Sequence, residues 1–219
     1  MQVVIVGAGK LARELQGALN GAFPWAERIY PAQRSIVVHA GSGRELQPAI
    51  EFCEHTRSTL IELATGTDIG SSTPKFPLVI CPNTNILMLK FMSMLEKSGP
   101  LFHQYPIELT ESHQASKCSV PGTAVAIAES LGLAESSVSS VRDLVLQETA
   151  LQIPANHLAR HAYHQIRIGD GVCSLTLETR VYGETAYAGG VAHIVAAVQK
   201  QELENRLYSV MEFIDRSWI

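Results

Sequence analysis

The chain opens with Gln2-Val3-Val4-Ile5-Val6-Gly7-Ala8-Gly9-Lys10-Leu11-Ala12, and this stretch decides the fold of its first part. The continuous valine and isoleucine run is typical of a strand that is buried on both faces of a parallel sheet. A glycine turn follows, and apolar residues at positions 11, 15, 18 and 19 then keep helical spacing. The sequence therefore predicts a strand, a turn and a helix in direct succession.

The turn carries a second signal, because Gly7, Gly9 and Ala12 match the spacing of the dinucleotide-binding fingerprint. In that motif the first glycine permits a sharp turn, the second leaves room for a pyrophosphate, and the third position needs only close helix-to-strand packing. The helix start also directs free N–H groups at an anion, beside the cation of Lys10. We predict a dinucleotide site that includes Leu11, with a tight structural turn as the alternative.

The preference between NADH and NADPH depends on the end of the second strand, which we place near residues 29–34. An acidic residue that binds the adenosine ribose is expected there, and this stretch holds none. Arg28 or Arg34 would instead contact a 2′-phosphate and favour NADPH. If both arginines are solvated loop residues, the preference stays open, so the predicted cofactor is NADPH or NADH.

The rest of the chain divides into two kinds of pattern. We predict strands over residues 35–38, 59–63 and 78–81 and a helix over 45–55, an alternation that implies a parallel α/β sheet. After about residue 82 we predict helices over 86–96 and 124–131 and strands over 107–111, 143–147, 164–168 and 174–181. Partial apolar and polar alternation in the later strands favours an antiparallel or mixed sheet with one covered face.

These patterns predict a Rossmann-type α/β lobe over 1–82 and 191–219, and an α+β lobe over 83–190 with the active site in the cleft. The chain has 219 residues, 46% of them hydrophobic, and a net charge of −4, so no nucleic-acid or membrane partner is expected. Its four cysteines form no C-x-x-C pair and its amino terminus lacks a secretory pattern, which predicts a cytoplasmic protein with reduced thiols.

The segment from Glu108 to Ala124 carries the most chemistry, because it places an imidazole, an ammonium and a helix start close together. Hydride addition to an imine carbon needs a proton donor near the nitrogen, and Lys117 has that chemistry. His113 can orient the substrate, and the helix start at Gly122 and Thr123 offers N–H groups and a hydroxyl to a carboxylate. The alternative is a capping histidine and a solvated lysine.

This segment resembles the signature of dihydrodipicolinate reductases, in which a glutamate, two histidines, a lysine and a Pro-Ser-Gly-Thr-Ala helix start connect a strand to a helix. The matching residues are Glu111, His113, Lys117, Pro121, Gly122, Thr123 and Ala124. The resemblance implies that Lys117 protonates the imine nitrogen of a small carboxylated substrate with help from His113, and that Gln114, Gly122 and Thr123 also bind this substrate.

Further segments resemble the same family along nearly the whole chain. Thr65-Gly66-Thr67 is similar to a Gly-Thr-Thr turn beside the nicotinamide, and Pro82-Asn83-Thr84-Asn85 stands at the interdomain hinge. Gly66, Thr67 and Asn83 are therefore predicted to bind the cofactor. So are His39 and Ala40, which follow a strand and precede glycines, although a plain glycine-rich loop is the alternative. Tyr187-Ala188-Gly189-Gly190 is similar to the start of the family's return helix, and the resemblance implies a homotetramer.

Several positions depart from the family pattern. The second histidine is Gln114, the aspartate is Ser119, the serine before Gly122 is missing, and Glu184 replaces an arginine. Two lost hydrogen bonds to a charged substrate would cost on the order of 1.5 to 3 kcal/mol each. The alternatives are an imine reductase with a different substrate outside lysine biosynthesis, and a noncatalytic NAD(P) sensor.

The sequence predicts no metal site. His157, His161 and His164 have a spacing that would suit a metal only on a helix, and we expect the chain to become extended there.

Overall fold

A computed structural model describes residues 1–27, 32–41, 43, 45–64, 69, 73–183 and 187–219 of the chain. The chain forms two compact units, which we call unit 1 and unit 2. Unit 1 comprises residues 1–89 and 187–219, and unit 2 comprises residues 90–186.

Ten strands and seven α-helices lie within the described ranges. The strands are β1 Gln2–Val6, β2 Ala22–Pro24, β3 Ser35–His39, β4 Thr59–Glu62, β5 Leu78–Ile80, β6 Ile107–His113, β7 Val138–Val141, β8 His161–Gly169, β9 Ser174–Tyr182 and β10 Leu207–Ser209. The helices are α1 Lys10–Ala18, α2 Leu46–Thr56, α3 Ile86–Ser98, α4 Gly122–Ser130, α5 Leu144–Thr149, α6 Ala188–Lys200 and α7 Val210–Asp215.

Unit 1 contains a six-stranded sheet in the order β10-β5-β4-β3-β1-β2, and every neighbouring pair is parallel. Both faces are covered: β1 and β3 contribute Ile5 and Val38 to a core with α1 and α6, and Val6 and Val37 to a second core with α2. Burial on both faces explains the unbroken apolar runs of these strands. The predicted Rossmann-type parallel sheet is confirmed.

The register brings the carboxyl ends of four strands of unit 1 together. Val6 of β1 pairs with His39 of β3, His39 with Glu62 of β4, and Glu62 with Ile80 of β5. In open α/β sheets ligands bind outside these strand ends. Any side chain that follows β1, β3, β4 or β5 is therefore placed at one edge.

Unit 2 contains a four-stranded mixed sheet in the order β7-β6-β8-β9. β6 runs parallel to β7 and antiparallel to β8, and β9 is antiparallel to β8. The core of this unit includes Leu109 and Ile166, which are register partners, and Ile127 of α4. The predicted α+β unit with a mixed sheet is confirmed.

Two strand predictions were wrong. Residues 143–147 begin helix α5 instead, because the Asp143 carboxylate accepts a hydrogen bond from the amide of Leu146 and caps the helix. The second strand of the chain is β2, well before residue 29, because the chain turns at Gly21, with φ +75°, directly after α1. Neither β7 nor β10 was predicted from the sequence.

Helix α6 approaches the rest of unit 1 closely at one glycine. A Cβ atom placed on Gly190 would lie 1.5 Å from the carbonyl oxygen of Thr84. The same region is tied by a hydrogen bond from the Thr84 hydroxyl to the carbonyl of Tyr187. Only glycine fits position 190, which gives a physical reason for the glycine at the start of this helix.

Candidate functional site

The glycine turn of unit 1 has the geometry that its sequence predicted. Gly7 has φ +125°, and a Cβ atom on it would lie 2.8 Å from the carbonyl oxygen of Ala40 and 2.9 Å from the amide nitrogen of Gly41. The amide of Ala40 donates to the carbonyl of Val6 at 2.8 Å. The backbone after β3 thus lies against the turn after β1, so glycine is required at position 7.

The amino terminus of α1 is open. Gly9 is its N-cap, no side chain caps this end, and no acidic residue lies in the first turn. A Cβ atom on Gly9 would have nothing within 4 Å, whereas Ala12 is fully buried. Lys10 is exposed and Leu11 is half-buried. Uncapped N–H groups, the helix dipole and open space suit a diphosphate.

A buried ionisable pair lies at the same strand ends. His39 and Glu62 are both fully buried, and Nδ1 of His39 is 2.8 Å from each carboxylate oxygen of Glu62. The Glu62 carboxylate also accepts from the amide of Ala64 at 2.7 Å. Within the described ranges, Nε2 of His39 is buried and has no hydrogen-bond partner. Glu62 was not predicted from the sequence, although a glutamate that ends an apolar strand was a usable signal.

The other cofactor residues predicted for this unit have different outcomes. Asn83 follows β5 at the same edge, and its side-chain oxygen accepts from the amide of Asn85 at 2.9 Å. Gly66, Thr67 and Arg28 lie outside the described residues. Arg34 directly precedes β3, so it lies at the amino edge of the parallel sheet, opposite Gly7. That position argues against the predicted contact of Arg34 with a 2′-phosphate.

The centre of the site in unit 2 is the buried carboxylate of Glu111. It accepts hydrogen bonds from Nδ1 of His113 at 2.9 Å, from Arg142 at 2.6 and 3.2 Å, and from the Ser140 hydroxyl. Burial alone would raise the pKa of Glu111, but these hydrogen bonds and the Arg142 charge lower it to about 2. Glu111 is therefore an anion at neutral pH.

Glu111 also orients His113. Because a carboxylate can only accept, Nδ1 of His113 carries the proton and Nε2 is the ring nitrogen left to face a ligand. The His113 ring is 5.8 Å from that of His164 and 6.4 Å from that of His161. Burial, with a smaller effect of His113, lowers the pKa of His164 to about 4. Burial is also the main cause of the lowered pKa of His161.

Lys117 lies in the connection between β6 and α4, and its backbone is held at both ends. Its amide donates to the carbonyl of Gln114 at 3.0 Å, and its carbonyl accepts from Nε of Arg142 at 2.9 Å. The side chains of Lys117 and Gln114 are both half-buried. His113, Gln114 and Lys117 are thus placed on one short connection, as the sequence predicted.

The same connection ends at the amino terminus of α4. Pro121 is the N-cap and offers no side-chain hydrogen bond, and a Cβ atom on Gly122 would have nothing within 4 Å. Gly122 is exposed and Thr123 is half-buried. An uncapped helix start next to open space is suited to a carboxylate.

Arg142 and Ser140 are the members of this site that the sequence analysis missed. Both depend on β7, whose sequence Val-Ser-Ser-Val has only two apolar residues and lies at the edge of the sheet. The apolar residues that follow, Leu144 to Leu146, led to the strand prediction but are exposed on α5. No periodic signal marked position 142.

The histidine-rich segment is a strand and not a helix from His161 onward. β8 begins at His161, and His164, three residues later, lies on the opposite face of the strand. Among the described residues, no cluster of three or more His, Cys, Asp or Glu side chains is arranged to hold a metal ion. The four cysteines, Cys53, Cys81, Cys118 and Cys173, are free thiols.

A parallel sheet with a glycine turn, joined to a separate mixed sheet, defines a two-domain protein of the Rossmann-fold class. The model of the family described as "Dihydrodipicolinate reductase, C-terminus" matches residues 86–214. The chain therefore belongs to the dihydrodipicolinate reductase family.

Two curated plant proteins are similar to this chain. The probable 4-hydroxy-tetrahydrodipicolinate reductase 1, chloroplastic, of Oryza sativa subsp. japonica is 29% identical over 148 residues, which cover 63% of this chain and 43% of that protein. The chloroplastic 4-hydroxy-tetrahydrodipicolinate reductase 2 of Arabidopsis thaliana is 28% identical over 154 residues, which cover 64% and 44%. The chain spans less than half the length of these relatives.

Solved structures share the fold. A dihydrodipicolinate reductase from Paenisporosarcina sp. TG-14 with bound dipicolinate gives a TM-score of 0.67 at 15% identity, covering 95% of this chain and 97% of that one. A DAP dehydrogenase of C. glutamicum in complex with DAP gives 0.52 at 9% identity, covering 97% and 93%. Within the described residues, every helix is too short or too polar to cross a membrane.

Proposed function

We propose that this protein reduces the C=N bond of a small cyclic imine carboxylate with NADPH or NADH, as a 4-hydroxy-tetrahydrodipicolinate reductase of lysine and diaminopimelate biosynthesis does. The observation that carries the proposal is the Glu111-centred network, which orients His113 and holds the backbone of Lys117. Membership of the dihydrodipicolinate reductase family supports the same chemistry.

Unit 1 is proposed to bind the dinucleotide. The uncapped start of α1, with Gly9, Lys10 and Leu11, would hold the diphosphate, and the buried Ala12 keeps the helix close to β1. The His39–Ala40 backbone and Asn83 would complete this site at the carboxyl edge of the sheet. Gly66 and Thr67 are proposed to bind the cofactor from the family resemblance alone. NAD(P)H supplies the hydride when bound.

Unit 2 is proposed to bind and protonate the substrate. As hydride adds to the imine carbon, the electron pair of the C=N bond moves to nitrogen, which takes a proton from the Lys117 ammonium. His113, fixed by Glu111 with Nε2 facing the ligand, would orient the substrate together with Gln114. The products are the secondary amine and a neutral Lys117, which regains its proton from solvent.

The substrate carboxylate is proposed to bind at the start of α4. Gly122 offers open space and backbone N–H groups, and Thr123 adds a hydroxyl. Dipicolinate, a cyclic dicarboxylate, is bound to the reductase of Paenisporosarcina sp. TG-14, which supports a carboxylated ring as ligand. Because the serine before Gly122 is missing, this carboxylate would be held less tightly here than in the family pattern.

The first experiment titrates the protein with NADH and NADPH in parallel by calorimetry, and then measures oxidation of the better cofactor with a panel of cyclic imines. The panel includes the dihydrodipicolinate synthase product and monocarboxylated imines. Dinucleotide binding without turnover of any imine would favour a noncatalytic sensor. Absence of dinucleotide binding would overturn the proposal.

The second experiment tests the proton donor. Lys117→Ala should lower kcat by about 100-fold or more, because positioned proton transfer contributes at least that much. Lys90→Ala, which removes an exposed lysine of α3, should leave kcat unchanged. A Lys117→Ala variant within about threefold of the parent would remove Lys117 from the mechanism.

A further inference from the structure

Arg142 connects the two elements that the proposed chemistry depends on. Its Nη2 atom donates to Oε1 of Glu111 at 2.6 Å, and its Nε atom donates to the backbone carbonyl of Lys117 at 2.9 Å. Nη1 adds contacts to Oε2 of Glu111 and to the carbonyl of Val141. One planar guanidinium therefore joins the buried carboxylate of β6 to the loop that carries the proposed proton donor.

The chemistry of arginine matters for this contact. A guanidinium presents five N–H donors in a fixed plane, so it can bind a carboxylate with one edge and a carbonyl with Nε. A lysine ammonium at the same place would keep the charge opposite Glu111 but has no second donor in a fixed direction. The contact with Lys117 therefore depends on the guanidinium group of residue 142 and not on its charge alone.

The loop of residues 114–120 needs such an anchor. Ala115, Ser116, Cys118 and Ser119 are all exposed, so apolar burial holds little of it in place. Its internal contacts include the amide of Lys117 on the carbonyl of Gln114 and the Cys118 thiol on the carbonyl of Ser116. Arg142 directly follows β7, which pairs with β6 on the side opposite to β8. Its hydrogen bond reaches the loop from that side of the sheet.

We propose that Arg142 is a positioning residue that sets the place of the Lys117 ammonium through the backbone of the donor loop, anchored on Glu111. This inference rests on the proposed function for the role of Lys117. In the proposed reaction Arg142 itself contacts neither substrate nor cofactor. It acts on the reaction only by fixing where the proton is delivered, and displacement of a catalytic group by about 1 Å can cost on the order of 100-fold in rate.

The test compares Arg142→Lys with Arg167→Lys, which changes an exposed arginine of the same sheet whose nearest approach to Glu108 is 3.9 Å. Hydrogen–deuterium exchange by mass spectrometry is measured first. In Arg142→Lys the amides of residues 114–120 should exchange about tenfold faster, because a hydrogen bond from a charged donor is lost from the loop. In Arg167→Lys they should exchange as in the parent. Unchanged exchange in Arg142→Lys overturns the inference, whether or not the protein is a reductase.

Kinetics then separate positioning from a general loss of structure. In Arg142→Lys we expect kcat to fall about 10- to 100-fold with little change in the KM for the dinucleotide, and the solvent deuterium isotope effect on kcat to rise. A partly unfolded preparation would lower kcat without changing the isotope effect. A fall in kcat with an unchanged isotope effect therefore also overturns the inference. If the parent reduces no imine, the proposed function fails, and the exchange comparison still decides whether Arg142 holds the loop.

Discussion

Acidification should destabilise this protein through one buried histidine. His164 is 2% exposed, its Nδ1 is 3.1 Å from the Thr179 hydroxyl, and burial is the main reason why its pKa is lowered from 6.5 to about 4. Between these two values the unfolded chain binds a proton at this side chain and the folded chain does not. The stabilisation from His164 is therefore fully present above pH 6.5 and is lost as the pH falls towards 4.

The size of the effect follows from the same two pKa values. A change from 6.5 to about 4 corresponds to about 3 kcal/mol of unfolding free energy between neutral pH and pH 4. Integration over the titration gives about 2 kcal/mol of this loss by pH 5. The stabilisation from Glu111, whose pKa is lowered from 4.5 to about 2, is lost mainly below about pH 4.5, so Glu111 adds little to the loss between pH 7.5 and pH 5.

The assay compares the parent with His164→Gln by urea unfolding at pH 7.5 and pH 5. Far-UV circular dichroism is the appropriate signal, because Trp25 and Trp218 both lie outside unit 2 and fluorescence would report on unit 1. His164→Gln should lose about 2 kcal/mol less than the parent over this interval. His193→Gln, at an exposed position of α6, should behave as the parent does. If the parent and His164→Gln lose stability in parallel, the reasoning is refuted.

Two further predictions concern unit 1. Gly190→Ala should lower the unfolding free energy by about 3 kcal/mol or more, because its Cβ atom would overlap the carbonyl of Thr84. Gly189→Ala is the control, since position 189 has open space and the change should be less than about 1 kcal/mol. Calorimetry measures the Tm of both variants, and equal Tm values would contradict the prediction. Glu62→Ala should lower the unfolding free energy by about 3 to 5 kcal/mol, because it leaves the His39 ring buried without its partner. Glu62→Gln should recover part of that loss, because its amide oxygen can still accept from His39. Chemical unfolding measures both variants, and a loss below about 1 kcal/mol for Glu62→Ala would show that the pair contributes little.

The sequence predicted unit 1 well because its signals are local. The apolar run of β1, the glycine turn and the helical spacing after it lie within about twenty residues, and each reports on burial or backbone conformation directly. The prediction failed at β2 because a three-residue strand between a helix and a turn has too few residues to show a period. Arg34 was predicted to lie near the ribose because the second strand was predicted to end near residues 29–34, whereas β2 ends at Pro24.

The site in unit 2 was predicted in part. His113, Gln114 and Lys117 could be proposed from the sequence because they lie in one continuous segment that resembles a known signature. Arg142 reaches Glu111 across 31 residues of sequence, through a strand that carries two serines at its centre. Such a contact depends on strand pairing, and no pattern in the neighbourhood of residue 142 records it.

Unit 1 is assembled from both ends of the chain, and this has a consequence for biosynthesis. Strand β10 pairs with β5, and α6 supplies Val191, Ile194 and Val198 to the core that β1 and β3 also line. During translation all of residues 90–186 leave the ribosome before these elements exist. Unit 2 can therefore fold while the first 89 residues still expose the apolar surface that α6 will cover. Until residues 188–209 have emerged, the apolar surface of residues 1–89 that α6 and β10 cover therefore stays exposed.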